Sequence, residues 1–333
     1  RDLAISHDGQ QLAVTEVDGS MNLSRLPLTA DGSAPAGDEE VLSPGQVFDG
    51  QPKFSPDGKR IAYTSNRLGR DQLWMLHVDS KRMERLQFAD SDISAVGGNW
   101  HPDGTKLVAQ RLFPDRKVSL WWIAADASYA EELTSPPSLY NNAEGWPIDP
   151  EGQKLVYGAD VEGHIQLFEF NLGTRQATQL TSSADDKFNA IWSRDSRWIV
   201  YTSNRNGSGQ LWRIPATGGE PKPLTTGVDR VRHMFYSRDG RWLYFQPNHL
   251  NIYRMPADGG PAQQVTRFPE SALFIEEPTI SPDGRYLVYG RMNGGSSLWL
   301  LQLGATQKPT QERLGGPTPP TFPLVCPTPP SSS

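Results

Sequence analysis

A four-residue turn sequence recurs seven times along this chain of 333 residues. The copies read SHDG, SPDG, HPDG, DPEG, SRDS, SRDG and SPDG and begin at residues 6, 55, 101, 149, 193, 237 and 281. Successive copies therefore start 44 to 49 residues apart, and together they occupy nearly the whole chain. A repeat of this period constrains the fold more than any single motif does, and it leaves little sequence for a second domain.

Each period has the same order of local structure. An apolar strand precedes the turn and a strand rich in β-branched and aromatic residues follows it, which predicts a hairpin. Within the turn, Pro presets φ, Asp can accept hydrogen bonds from the neighbouring backbone, and Gly supplies a positive φ. A third and a fourth strand follow, as in QLWRIPA and PKPLTT. Four short antiparallel strands at this period predict the blades of an all-β propeller.

Two stretches carry a family resemblance. FSPDGKRIAYTSNRLGRDQLWMLHVD, residues 54–79, resembles the WD40-like repeat (PD40) of the TolB β-propeller family, and IWSRDSRWIVYTSNRNGSGQLWRIPATGGEPKPLT, residues 191–225, is similar to it as well. The resemblance covers roughly residues 1–314 and implies a β-propeller. Residues 315–333 are Pro-rich, and we expect them to form a flexible tail.

The number of blades is open at this stage. Seven copies favour seven four-stranded blades, and a six-bladed ring is the alternative, in which the first copy shares strands with the last to close the ring. The expected blade boundaries lie near residues 1–46, 47–92, 93–140, 141–185, 186–229, 230–273 and 274–314.

Composition excludes several classes of function. A net charge of −6 without a basic block argues against direct binding of nucleic acid. The single cysteine, Cys326, excludes an internal disulfide framework and a cysteine-based zinc site. No apolar run approaches the roughly 20 residues of a membrane-spanning helix, so we expect no membrane span in this chain.

Positions that differ between copies indicate the expected binding surface. The innermost strand of a propeller blade lines the channel, and the fourth residue before each turn is polar in five of the seven copies and differs between most of them. We expect these residues, and their preceding neighbours, to meet at one mouth of the channel; a solvated funnel is the alternative. The candidates from this set are Gln51, Glu144, Asn189, Arg232, His233, Glu276 and Glu277.

Three further candidates lie in loops. Arg67 and Arg205 occupy the matching loops TSNRLGRD and TSNRNGSG, which can alternatively be a repeated conformation held by the Asn. Phe274 belongs to FPESALFIEEP, a connection that is too apolar for an ordinary exposed loop.

The search for catalytic chemistry is negative. The six histidines show no HxH or HExxH spacing, and no GxSxG elbow is present. Some TolB-like propellers are pectin-fragment lyases that hold a metal through clustered histidines, and this sequence shows no such clustering. We therefore expect no catalytic residue, no metal and no cofactor. The enzymatic alternative is a lyase or hydrolase built from Glu144, Arg232, His233 and Glu277.

The sequence favours a non-enzymatic module that binds or senses a ligand, with a protein or peptide as partner. The resemblance implies either a periplasmic protein that contacts envelope partners or the sensory C-terminal part of a bacterial transcriptional regulator. It therefore favours an extracytoplasmic location, with the cytoplasm as the alternative. A further alternative is the gating propeller of a prolyl-oligopeptidase-like peptidase that lacks its catalytic domain.

Overall fold

The computed structural model describes residues 3–6, 11–86, 94–113, 118–134, 147–207, 209–225, 231–247, 249–269, 275–302 and 311–313. All regular secondary structure in these ranges is β-strand. None of the described residues forms a helix that is long and apolar enough to cross a bilayer.

The described residues form 25 strands. In chain order they are β1 Leu3–Ile5, β2 Gln11–Pro27, β3 Glu40–Val41, β4 Asp49–Phe54, β5 Arg60–Ser65, β6 Gln72–His77, β7 Met83–Arg85, β8 Ser94–Trp100, β9 Lys106–Leu112, β10 Val118–Ala124, β11 Ala130–Thr134, β12 Lys154–Val161, β13 His164–Asn171, β14 Gln176–Gln179, β15 Lys187–Trp192, β16 Trp198–Ser203, β17 Gln210–Pro215, β18 Lys222–Pro223, β19 Val231–Tyr236, β20 Trp242–Pro247, β21 Tyr253–Pro256, β22 Gln263–Gln264, β23 Ile275–Ile280, β24 Tyr286–Gln302 and β25 Gln311–Arg313.

Two compact units share these strands. The larger unit, Ser20–Asn293, is a propeller of six antiparallel blades. Five of the blades are continuous in sequence: blade 1 is β4–β7, blade 2 is β8–β11, blade 3 is β12–β14, blade 4 is β15–β18 and blade 5 is β19–β22. In blade 3 the described part of the innermost segment contributes a single bridge, Ile148 opposite Leu155.

The sixth blade combines both ends of the larger unit. Its inner strands are β23 and residues 286–293 of β24, and its outer strands are residues 20–27 of β2 together with β3. The Leu28 N–H donates to the carbonyl oxygen of Arg285 at 2.7 Å, and Leu26 packs in one cluster with Ile275 and Leu287. The first and last copies of the repeat therefore share a blade.

This blade decides between the two blade numbers left open by the sequence. The all-β propeller is confirmed, and its ring has six blades, closed by strands from the two ends. The smaller unit, Arg1–Gly19 with Gly294–Ser333, holds the strand pairs that complete the first and last copies. In it β1 pairs with β2, Leu3 opposite Val14, and β24 pairs with β25, Leu300 opposite Glu312.

Four of the recurring turns share one hydrogen-bond pattern. In the SRDG copy, Ser237 Oγ donates to Asp239 Oδ1 at 2.6 Å, and the same carboxylate oxygen accepts from the Arg241 N–H at 3.1 Å. Ser237 Oγ also accepts from the Trp242 N–H at 3.0 Å, and Gly240 adopts a φ of 70°. The same bonds recur in the turns at 55, 193 and 281, so the repeated letters specify hairpin geometry, as the sequence predicts.

Repeated apolar residues join neighbouring blades. Tyr63 of blade 1 is fully buried and packs with Leu23 and Val288 of blade 6, with Phe54 against the same cluster. Tyr201 of blade 4 similarly packs with Val156 of blade 3. The aromatic residues that recur in the copies therefore form interfaces between blades.

Candidate functional site

The innermost strand of most blades carries a β-bulge at one place. The register shifts between Gly50 and Lys53, Val96 and Asn99, Phe188 and Ile191, Arg232 and Met234, and Glu276 and Thr279. Each bulge contains the fourth residue before the turn, the position that varies between copies. A bulge leaves an extra residue outside the ladder and redirects the strand, which explains why the sequence can vary there without disrupting the sheet.

Four of the bulge residues have a left-handed backbone conformation. Their φ angles are 57° for Gln51, 62° for Gly97, 54° for Asn189 and 45° for Glu277. Outside glycine and asparagine such angles are uncommon, and they cost free energy that the surrounding structure has to supply. The variable position is therefore conformationally restricted as well as chemically diverse.

A central channel of about 900 Å³ lies within the larger unit and opens at the hairpin turns. Three predicted residues, Asn189, His233 and Glu277, line it together with Lys53 and Asn99 of blades 1 and 2. Toward the hairpin turns, the second turn residue of every blade lines it in a ring: Pro56, Pro102, Pro150, Arg194, Arg238 and Pro282. The channel thus has a polar ring of bulge residues and a ring of prolines and arginines.

Glu277 forms a buried ion pair across two blades. Its Oε2 atom lies 3.7 Å from Lys53 Nζ, and its side chain is 6% exposed. A carboxylate this deeply buried is stable only near a cation or hydrogen-bond donors. The pair links blade 6 to blade 1 in the channel wall.

His233, His249 and Glu276 meet next to the channel. Glu276 Oε2 lies 3.2 Å from His233 Nε2, and Glu276 Oε1 lies 3.2 Å from His249 Nδ1. The imidazole rings are 6.1 Å apart at an angle of 68°. One carboxylate therefore contacts two imidazoles, His233 from the blade 5 bulge and His249 from the connection between β20 and β21.

The pKa values in this cluster reflect burial and mutual charge. Burial lowers the pKa of His249, and the positive charges of Arg232 and His233 act in the same direction, against the opposing effect of Glu276. Burial alone would raise the pKa of Glu276, but the hydrogen bond from His233 and the charges of the two histidines and Arg232 outweigh it and lower that pKa. Glu276 is therefore an ionised carboxylate at neutral pH.

Backbone contacts fix His249 beside Glu276. The Ile275 N–H donates to the His249 carbonyl at 2.9 Å, and Gln246 Nε2 donates to the Ile275 carbonyl at 3.0 Å. His249 itself has a φ of 56°. Histidine tolerates this region better than most residues. The connection in blade 5 is thus tied directly to the inner strand of blade 6.

The two predicted loop arginines contact their own blades. Arg67 Nη2 donates to the fully buried Asp49 at 2.6 Å, and its guanidinium lies 4.8 Å above the Trp74 ring. Arg205 has the corresponding contacts in blade 4, with Asp185 at 3.7 Å and Trp212 at 5.3 Å. These contacts orient both arginines along their loops.

Asparagine fixes both loops as well. Asn66 Oδ1 accepts from the Phe48 N–H at 2.9 Å, and Asn204 Oδ1 accepts from the Asp186 N–H at 2.8 Å. This is the contact that the alternative interpretation of the loops requires.

The other predicted residues differ in accessibility. Gln51 is buried and its Oε1 accepts from Thr64 Oγ1 at 2.6 Å, whereas Arg232 is exposed. Glu144 and Phe274 lie outside the described residues. The role of each as a binding residue stays a prediction.

The structure adds residues that sequence reasoning missed. His249 joins His233 although the sequence shows no clustered histidines, because the two lie on different segments that converge on one end of blade 5. Lys53, Arg194 and Arg238 also line the channel. Arg194 and Arg238 occupy the second position of the turn, which is Pro in four other copies. The replacement of Pro by Arg there could have identified them from the sequence.

Comparison with known proteins agrees with the fold. The Tol-Pal system protein TolB of Anaeromyxobacter dehalogenans (strain 2CP-C) is 32% identical over 103 residues, which are 31% of this chain and 23% of the relative. The match thus spans about a quarter of that relative's length.

Among solved structures, a putative TolB from Agrobacterium tumefaciens superposes with a TM-score of 0.68 at 20% identity, covering 82% of this chain and 99% of that one. An oligogalacturonate lyase in complex with manganese has a TM-score of 0.56 at 16% identity, covering 91% and 85%. At these identities both show the shared fold alone. The family model described as TolB beta propeller domain (PD40) matches residues 127–316, more than half of the chain. The chain belongs to the TolB β-propeller family.

Proposed function

We propose that this propeller is a non-enzymatic binding module that takes a segment of a protein or peptide into its central channel. The channel of about 900 Å³ carries this proposal, since its size is that of a ligand site and its wall changes chemistry from blade to blade. A rigid ring with variable positions at matching places suits recognition, and it requires no catalytic group.

Two arginines favour carboxylates or backbone carbonyls in the bound segment. Arg194 and Arg238 are exposed on adjacent blades at the rim formed by the hairpin turns. Within the described part of the chain neither forms an ion pair, whereas the nearby turn carboxylates accept hydrogen bonds from their own turns. Guanidinium groups bind carboxylates in two-point contacts, so this side of the rim is suited to an acidic segment.

The proposal includes a cellular context. Likeness to a protein of the Tol-Pal system supports a location outside the cytoplasm and a role as the binding or sensory part of a larger bacterial protein. In either context the partner is a protein, and the channel is the surface that contacts it.

Selection of peptides on the immobilised chain tests the proposal. Peptides enriched from a random library would be labelled and titrated by fluorescence anisotropy. The double variant Arg194→Ala with Arg238→Ala should weaken binding at least about 10-fold, the effect of losing about 1.4 kcal/mol.

Glu131 and Arg175 supply matched controls. They form an exposed pair between β11 of blade 2 and the turn before β14 of blade 3, and neither lines the channel. Glu131→Gln and Arg175→Ala should leave the affinity unchanged. Peptides that bind the channel variants and the wild type equally would contradict the proposal, as would a library that yields no binder.

A lyase remains the second candidate because of one contact. His233 and Glu276, 3.2 Å apart at the channel, are a close acid and base of the kind that proton abstraction requires. Incubation with acidic oligosaccharides, followed by detection of the unsaturated product, tests this candidate. Turnover that disappears in a His233→Ala variant would replace the binding proposal with an enzymatic one.

A further inference from the structure

The cluster in which two imidazoles contact one carboxylate also contains the donor atoms of a metal site. His233, His249 and Glu276 each offer a ligand atom, and these atoms all lie within 4.8 Å of one another. Among the described residues this is the one group of at least three histidine, cysteine or acidic side chains with that property. Imidazole nitrogen with carboxylate oxygen is a donor set that suits zinc and related transition metals.

We propose that His233, His249 and Glu276 bind a divalent transition metal of the zinc class at the channel wall, where the ion joins blade 5 to blade 6. The inference is independent of the proposed function, because it concerns the metal alone.

The distances fit such an ion. Zinc binds imidazole nitrogen at about 2.0–2.1 Å and carboxylate oxygen at about 2.0–2.2 Å, so two ligand atoms of a tetrahedral site lie about 3.3–3.5 Å apart. The two contacts of the Glu276 carboxylate with the histidines are both 3.2 Å. Only small side-chain rotations would therefore bring the three donors around one ion, and a fourth position would remain for water or a ligand group.

Contacts with the neighbouring backbone hold these donor side chains in place without a metal ion. His233 belongs to a β-bulge and is 6% exposed, and the backbone of His249 is hydrogen-bonded to Ile275, the neighbour of Glu276.

One charge opposes the metal. Arg232 directly precedes His233 at the β-bulge of blade 5, and its positive charge acts on both His249 and Glu276, so it also repels a cation at this place. Removal of this charge should therefore tighten metal binding, whereas removal of a ligand should weaken it. Two changes at one cluster with opposite effects distinguish a metal site from general damage to the fold.

Calorimetric titration of the chelator-treated chain with Zn²⁺ tests the inference. The wild type should bind one ion per chain, and its melting temperature should rise with Zn²⁺ because the folded state alone holds the site. His249→Ala and Glu276→Gln should weaken Zn²⁺ binding at least about 100-fold. Changes to residues that only hydrogen-bond to metal ligands typically weaken it about 10- to 100-fold. Arg232→Gln should bind more tightly than the wild type.

His77 provides the matched control. It contacts Glu84 at 2.6 Å in outer strands of blade 1, but no third ligand residue joins that pair in the described ranges. His77→Ala should bind Zn²⁺ like the wild type. Circular dichroism and melting without metal would confirm that each variant is folded.

Three results would overturn the inference: no saturable Zn²⁺ binding by the wild type, equal binding by His249→Ala, or loss of binding in Arg232→Gln. None of these readouts involves a peptide. Failure of the metal site is therefore distinguishable from failure of the binding proposal.

Discussion

At the scale of single residues, the bulge position combines variability with a restricted backbone. Asn189 has a φ of 54° and lines the channel, and Gln51 and Glu277 have similar angles in their blades. For an L-amino acid other than asparagine, aspartate or glycine, the left-handed region costs roughly 1–2 kcal/mol. The side chains at this position are therefore limited to residues that can also hold this conformation.

Replacement of Asn189 separates the two requirements. Asn189→Val places a β-branched residue in the left-handed region and should lower the free energy of unfolding by about 1–2 kcal/mol. Asn189→Gly removes the side chain but keeps the conformation accessible, so its loss should be less than half as large. Urea unfolding of both variants checks this, and equal losses would show that the asparagine side chain, rather than its φ, determines stability.

At the scale of elements, blade 6 closes the ring. Residues 20–27 from one end of the larger unit lie in the same sheet as β23 from its other end, so closure depends on contacts between residues that are distant in sequence. Leu23 is fully buried between Tyr63 of blade 1 and Val288 of blade 6. Stability of the whole ring therefore depends on this short strand segment.

Truncation of Leu23 tests the closure. Leu23→Ala should lower the free energy of unfolding by about 2–5 kcal/mol, since it removes buried methyl groups at a junction of two blades. Leu68, which is 58% exposed in a loop of blade 1, is the control, and Leu68→Ala should change stability by less than about 0.5 kcal/mol. Similar stability of the two variants would mean that blade 6 is not required to close the ring.

At the scale of the whole molecule, the hairpin turns add a stabilisation that depends on pH. The pKa of Asp239 is lowered from 3.8 to about 2 by hydrogen bonds from Ser237 and from the backbone and side chain of Arg241. The pKa of Asp57 and Asp283 is lowered too, with burial opposing their turn hydrogen bonds. Every such turn favours the ionised carboxylate in the folded state.

The sign of the pH effect follows from these shifts. A group with a lowered pKa in the folded state contributes its full stabilisation above the unfolded pKa, near 3.8, and loses it as the pH falls toward the folded value, about 2 for Asp239. We therefore expect the chain to lose stability steeply between about pH 4 and pH 2. Asp239→Asn should cost up to about 1 kcal/mol at pH 7, because the carboxylate is largely exposed.

Urea unfolding at pH 7 and at pH 3 measures this contribution. The difference between wild type and Asp239→Asn should shrink at the lower pH, since at pH 3 the Asp239 carboxylate is largely protonated in the unfolded chain, with a pKa near 3.8, but still mostly ionised in the folded one. A difference that is the same at both pH values would show that the turn depends on shape rather than on the charge of Asp239.

The sequence by itself determined the local structure of this protein. The turn copies at 55, 193, 237 and 281 specify hairpins because Ser and Asp satisfy bonds within a few residues of one another, as in Ser237 and Asp239. The position four residues before each turn was identifiable as variable for the same reason, since it has a fixed distance from a local motif. The propeller and its family followed from the repetition of these units.

Only the tertiary structure decided how the ends of the chain pair and which residues meet. The DG at 18–19 and the NG at 293–294 are ordinary hairpin signals, yet the strands β2 and β24 continue through them. Closure of the ring by blade 6 depends instead on contacts across more than 250 residues, such as that between Asn22 and Asn293 at 3.0 Å. His249 and Glu276 likewise come together through the backbone bond between blades 5 and 6. Such contacts form only when separate blades pack, so no local pattern in the sequence encodes them.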